Sequence, residues 1–201
     1  MDTAVALVQT YLYANGFFTV TEYPILEQMD TANPRTLTDV DVLAVRFPGA
    51  GSISVNGKIG GIEVAPDPLL GPSNELVDVI IGEVKEGAAE LNKAARDPLV
   101  LRAAIGRVGM IKSEIADALV DDLVRTGTAI HPGGIRLRQM VFASNAPEQS
   151  QVPYTWISHG HITMWLTEQL RKNWDTFKTV QSKDPALGFL LLHEKALRGE
   201  D

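Results

Sequence analysis

The chain contains no cysteine. A disulfide framework and any thiolate metal site are therefore excluded. No apolar run approaches the ~18–20 residues needed to span a bilayer, so no membrane partner is expected. The N-terminus, MDTAVALVQTYLYANG, has an acid at position 2 and no basic leader region. Its apolar residues recur at helical spacing, so it reads as a helix and not as a signal peptide. A cytoplasmic protein is the simplest expectation. Internal repeats and low-complexity segments are absent too. Positive charge is scarce, with 18 basic against 25 acidic residues and a net charge of −7. That balance argues against a protein that coats nucleic acid nonspecifically.

What is present is ordinary globular material. A chain of 201 residues with 45% hydrophobic and 21% charged residues can bury a real core. Its length suits one domain. Charge is unevenly spread: residues 1–84 hold 3 basic and 11 acidic residues, whereas residues 85–138 hold 9 and 7. The basic series begins at Lys85 and continues through Lys93, Arg96, Arg102, Arg107 and Lys112. A polyanion, if one binds, should lie against this middle section. Charge runs are more often solvated helix faces.

Periodicity and punctuation lay out the elements. Residues 3–14 read as a helix with Val5, Val8 and Leu12 on one stripe, stopped by Asn15-Gly16. FFTVTEYPIL (17–26) and LTDVDVLAVRFP (37–48) read as strands, joined by a loop. The Gly- and Pro-rich segment 49–74 carries Asn56-Gly57 between short apolar stretches, the signature of an inserted hairpin. ELVDVIIGEVK (75–85) is a third strand. Residues 88–96 read as a helix. Asp97-Pro98 fits an N-cap followed by proline at the first helical position, opening a helix to about Val108. Ser113 can cap another, stopped by Gly127. Residues 134–144 alternate as a fourth strand, and YTWISHGHI supplies a fifth. Residues 163–177 and the segment capped by Asp184-Pro185 read as helices. The pattern predicts an α/β domain with a mixed sheet covered on both faces.

The chemistry concentrates in DVIIGEVKEG (78–87). After Val79, Ile80 and Ile81, the strand places Glu83 and Lys85 two residues apart, hence on one face. On the preceding strand Asp39 and Asp41 share a face with Leu43, while Val40, Val42 and Ala44 take the other. If the strands are neighbours, Asp41 and Glu83 meet at one end of the sheet. Two carboxylates held together push each other's pKa up. A divalent cation removes that cost, and Mg²⁺ typically takes one or two carboxylates, with the rest from water and phosphate. An adjacent lysine supplies positive charge for a scissile phosphate or orients the attacking water.

With DVDVLAV on one strand and IIGEVK on the next, 42 residues on from Asp41 to Glu83, the chain resembles the PD-(D/E)XK nuclease superfamily. The small archaeal junction-resolvase-like nucleases are closest in motif form. The resemblance covers roughly residues 1–100, extending to 144 if the fourth strand joins the same sheet. It implies a restriction-endonuclease-like mixed β-sheet flanked by helices, with a helical C-terminal portion. The nuclease-like core would be 1–144 with the hairpin at 49–74 inserted, and 145–201 would add a strand and helices to the same domain. It implies Mg²⁺- or Mn²⁺-dependent DNA hydrolysis and makes a homodimer plausible. Asp41 matches the metal-binding aspartate, Glu83 the second metal ligand with the Val84 carbonyl beside it, and Lys85 the catalytic lysine. Lys93 and Arg96 would be the nearest contacts to the DNA backbone. The first helix offers Gln9 where many members carry glutamate, Glu22 on the first strand is a substitute acid, and Glu86 follows the lysine where a hydroxyl or basic residue is common. A catalytically inactive nuclease fold that docks on a protein partner is the alternative.

Three other features carry less. His159 and His161 on a strand would share a face and could both reach zinc, but the nearest third ligand is Glu168. The favoured reading is that they end the strand and cap the next helix. GAGSISVNGK is no phosphate loop, because Gly51 to Gly57 is one residue too long and Ile59 stands where Ser or Thr should be. Trp156, Trp165 and Trp174 recur every nine residues, which on a continuous helix points Trp165 and Trp174 opposite ways. They read as core or interface residues.

Overall fold

The computed structural model describes residues 2–27, 35–55 and 58–199. Helix α1 (Thr3–Ala14) starts where Asp2 accepts a hydrogen bond from the Ala4 N–H, 2.8 Å away. It buries Val5, Val8, Tyr11 and Leu12 and ends at Asn15, after which Gly16 takes a positive φ. Strands β1 (Phe18–Glu27) and β2 (Arg35–Arg46) follow, then the short strands β3 (Ser52–Val55) and β4 (Lys58–Glu63). β3 and β4 pair antiparallel as a separate two-stranded sheet. The expected Asn56-Gly57 turn lies outside the described residues, as do residues 28–34 of the first loop.

Strand β5 runs from Val77 to Ala88, three residues beyond the expected end. The helix expected over 88–96 is therefore displaced, and only a single 3-10 turn, Ala94–Arg96, forms there. Helix α2 (Pro98–Val108) has the expected Asp97 cap, accepting from the Leu99 N–H at 2.9 Å. Helix α3 (Ser113–Thr126) has Lys112, not Ser113, at its N-cap and stops at Gly127. An unforeseen strand β6 (Thr128–His131) comes next, then β7 (Ile135–Asn145) and β8 (Thr155–Ser158). Helix α4 (His159–Lys172), the one-turn α5 (Trp174–Phe177) and α6 (Pro185–Arg198) complete the chain.

The main sheet has six strands in the order β1-β2-β5-β7, with β6 and β8 both against the far edge of β7. β1, β2 and β5 are antiparallel; β5 and β7 are parallel, joined by a crossover through α2 and α3, as parallel pairing requires. β6 pairs antiparallel with the first half of β7 and β8 parallel with the second half. Helices cover both faces. Ile80, Val42, Ala44, Met140 and Phe142 pack with α1, α4, α5 and α6, whereas Val79, Ile81, Leu43 and Leu137 pack with α2 and α3. Among the described residues no helix is long and apolar enough to cross a membrane.

The helix expected over 163–177 is broken at Asn173. That break corrects the tryptophan geometry: Trp165 and Trp174 enter the same core. At the other end of β5, fully buried Asp78 accepts from both Arg136 and Arg138, with Nη2 2.7 Å away in each case. Arg138 and the buried Arg46 also donate to the carbonyls of Leu70 and Ser73. This charged knot fastens the loop at 64–76 to the start of the sheet.

Candidate active site

Strands β2 and β5 are laddered from Arg46↔Asp78 to Val42↔Gly82, and the ladder stops there. Beyond that point lie Asp41 on one strand and Glu83, Val84 and Lys85 on the other. Oδ2 of Asp41 accepts from the backbone N–H of Val84 at 2.7 Å. A side chain thus takes a backbone donor just past the last ladder pair. Lys85 Nζ pairs with Glu83 Oε1. Asp41, Glu83 and Lys85 thus stand at the same end of the sheet, but Asp41 and Glu83 line different cavities.

Electrostatics agree with that proximity. Burial pushes the Asp41 carboxyl up from its ordinary value, against the opposing pull of the Val84 N–H and of Lys85. Burial also pushes Glu83 up; its bond to Lys85 works the other way, and the charge of Asp41 adds to the rise. Both carboxylates are thus poorly solvated as anions and gain from a nearby cation.

The expected alternation along β2 fails at this point. Val42 and Ala44 face the α1 side, but Val40 packs with Leu43 on the α2 side. The break lies opposite Glu22, whose φ of 53° is the only positive value at a non-glycine among the described residues. Its neighbours Thr21 and Tyr23 pair with Val42 and Val40, so Glu22 stands across from Asp41. Left-handed backbone at a glutamate is strained, and such strain gathers at functional sites. Asp41 consequently lines a cleft of about 410 Å³ with Asp2, Glu22, Asp39, Val84 and Glu86. Glu83 borders a smaller cavity under α2, and Asp39 touches both.

The turn after β5 carries the expected basic residues. Lys93 N-caps the 3-10 turn that contains Arg96, and both side chains are exposed. Arg102 is paired with Asp117, and the Arg107 guanidinium lies 5.5 Å from the ring centre of Tyr23. Sequence reasoning missed Asn92 and Gln139. Asn92 Nδ2 donates to Glu83 Oε1 at 2.6 Å, and Gln139 Nε2 donates to the Ala95 carbonyl at 2.8 Å. A glutamine directly before the apolar run MVFA was a usable signal for Gln139; nothing marked Asn92.

The histidines stand elsewhere in the local structure than a strand pair requires. Both lie in the first turn of α4, and Ser158, not a histidine, caps the helix by accepting from the His161 N–H at 3.0 Å. His161 Nε2 lies 2.6 Å from Asp67 Oδ2, which also accepts from Tyr11 Oη at 2.7 Å. His159 Nδ1 is 3.3 Å from Ser144 Oγ, and burial lowers its pKa. Among the described residues no group of three or more His, Asp or Glu side chains is disposed to hold a metal ion. Among those residues the histidines therefore lack the three-ligand group that zinc wants. Mg²⁺ and Mn²⁺ demand less, taking one or two carboxylates and filling most positions with water and phosphate; Asp41 and Glu83 are the acids at this end of β2 and β5, each lining its own cavity. Comparison with family models, curated proteins and solved structures returns no match.

Proposed function

We propose that the protein is a metal-dependent nuclease that hydrolyses phosphodiester bonds in DNA on a restriction-endonuclease-like scaffold. The observation that carries this reading is the group formed where β2 and β5 part: Asp41 on the Val84 N–H, with Glu83 and Lys85 paired beside it. Asp41, Glu83 and the Val84 carbonyl would hold Mg²⁺ or Mn²⁺, which when bound supplies positive charge to the phosphate under attack. Lys85, steered by Glu83, orients the attacking water and meets the same phosphate. Lys93 and Arg96, exposed on the adjoining turn, hold the DNA backbone.

A second reading has its own observation. The cleft beside Asp41 is bordered by Asp2, Glu22, Asp39 and Glu86 and, among the described residues, by no basic side chain. Such walls repel a polyanion. On this reading the fold has lost its chemistry and binds a protein partner.

Cleavage of supercoiled, linear, branched and single-stranded DNA with Mn²⁺, Mg²⁺ or EDTA separates the two. Metal-dependent cleavage by the wild type, lost in Glu83→Ala and Lys85→Ala, supports the nuclease. Cleavage unchanged in those variants is contamination and overturns it. No cleavage of any substrate leaves the binding module.

A further inference from the structure

Asn92 belongs to no helix or strand and is exposed. Its side-chain amide is nevertheless engaged at both ends. Nδ2 donates to Glu83 Oε1 at 2.6 Å, and Oδ1 accepts from the backbone N–H of Ala95 at 2.6 Å. The Ala95 carbonyl in turn accepts from Gln139, buried on β7 in register with Ile81. One amide therefore joins a buried carboxylate to the turn that carries Lys93 and Arg96. Glu83 Oε1 receives Lys85 as well, so two donors converge on one oxygen. Among the described residues no hydrogen bond engages Oε2.

We propose that Asn92 is a positioning residue: it fixes the rotation of the Glu83 carboxylate so that Oε2 faces the reaction, and it holds the Lys93–Arg96 turn at a set distance from that oxygen. The role rests on the nuclease reading of Glu83 and Lys85. An asparagine that only capped the turn would need its oxygen alone. The donor bond to Glu83 is the second use, and it is the one that bears on chemistry. Groups that orient a ligand or catalytic carboxylate in this way typically contribute about 10–100-fold to activity.

The test uses two substitutions that part the two ends of the amide. Asn92→Asp keeps an oxygen for the Ala95 N–H and replaces the donor facing Glu83 with an acceptor. Asn92→Ala removes both. Steady-state cleavage of DNA with Mn²⁺ should show kcat reduced about 10–100-fold in Asn92→Asp, with KM within about twofold of wild type. Asn92→Ala should lose kcat similarly and raise KM too, because the basic turn is released. A kcat in Asn92→Asp within about twofold of wild type overturns the role while leaving the nuclease intact. A wild type that cleaves no DNA overturns the nuclease reading and this role with it. Independently of activity, the side-chain amide signals of Asn92 in the metal-free protein should shift in Glu83→Ala when followed by NMR. Signals that do not respond to that substitution overturn the geometry itself.

Discussion

The carboxylate of Asp41 accepts the backbone N–H of Val84, 2.7 Å away, at the residue that links Glu83 to Lys85. A sheet ladder would spend that N–H on a neighbouring strand. Here it goes to a side chain, which parts the two strands and leaves an acid on each side of the gap.

Asp41→Asn tests the site without testing catalysis. Asparagine can still accept from the Val84 N–H, and burial disfavours the charged form it replaces. The metal-free variant should be at least as stable as wild type. Mn²⁺ at a hundredfold excess over its Kd should stabilise the wild type by about 2.7 kcal/mol, or about 5–10 °C in a thermal melt. Asp41→Asn should abolish that shift. A shift that persists places the ion elsewhere.

Asp67 gives the protein a defined acid response. Burial alone would raise its pKa, but the bonds from Tyr11, His161 and the Leu69 N–H outweigh it and hold the carboxyl below its ordinary value. A depressed carboxyl contributes stability above the unfolded-state pKa and loses it as pH falls through the folded value. Asp67→Asn should therefore cost about 2 kcal/mol near neutrality, about 4–8 °C, and the deficit should shrink below about pH 4. Melting curves of both proteins from pH 3 to 7 check this. A deficit independent of pH would assign the loss to packing.

Gly127 and Gly109 both end helices with positive φ, 69° and 74°. A methyl group on Gly127 would run into the Pro153 carbonyl, whereas one on Gly109 would meet nothing within 4 Å. Gly109→Ala should cost about 1–2 kcal/mol for the left-handed backbone alone. Gly127→Ala should cost about 3 kcal/mol or more, adding the collision. Urea denaturation of the two variants gives the comparison, and equal losses would contradict the close approach.

Asp78 is the sole carboxylate paired with Arg136 and Arg138 among the described residues. Asp78→Ala leaves a buried guanidinium at Arg138 with no counter-charge, a loss of about 3–5 kcal/mol. Urea unfolding should show it as a lower midpoint with little change in slope. A loss under about 1 kcal/mol would mean that the loop carbonyls suffice to hold both arginines.

Much of this architecture was written locally. Asp97-Pro98 and Asp184-Pro185 open their helices as the residues dictate, because a carboxylate beside free N–H groups and a proline with fixed φ act within one turn. The apolar run Val79 to Ile81 makes a central strand in any context that buries it. Glu83 and Lys85 on one face follow from the two-residue period of that strand. The errors fall where distant parts of the chain decide. β5 continues to Ala88 because β7 extends beside it, with Ala88 in register with Asn145, and this removes the helix expected at 88. Trp165 and Trp174 share a core because the chain breaks at Asn173 between them. The histidines lost their strand because Ser158 caps a helix there and Asp67, 94 residues away in sequence, takes His161. The sequence alone determined which residues could carry chemistry: an aspartate on one strand, and a glutamate with a lysine on the next. Only the tertiary structure decided where they stand: Asp41 in a cleft across from a strained Glu22, Glu83 in a cavity under α2, past the end of a shared ladder, and held by an amide from Asn92 that no local pattern announces. Periodicity is a property of neighbours along the chain, whereas the aim of a carboxylate is set by whichever donors the fold brings to it.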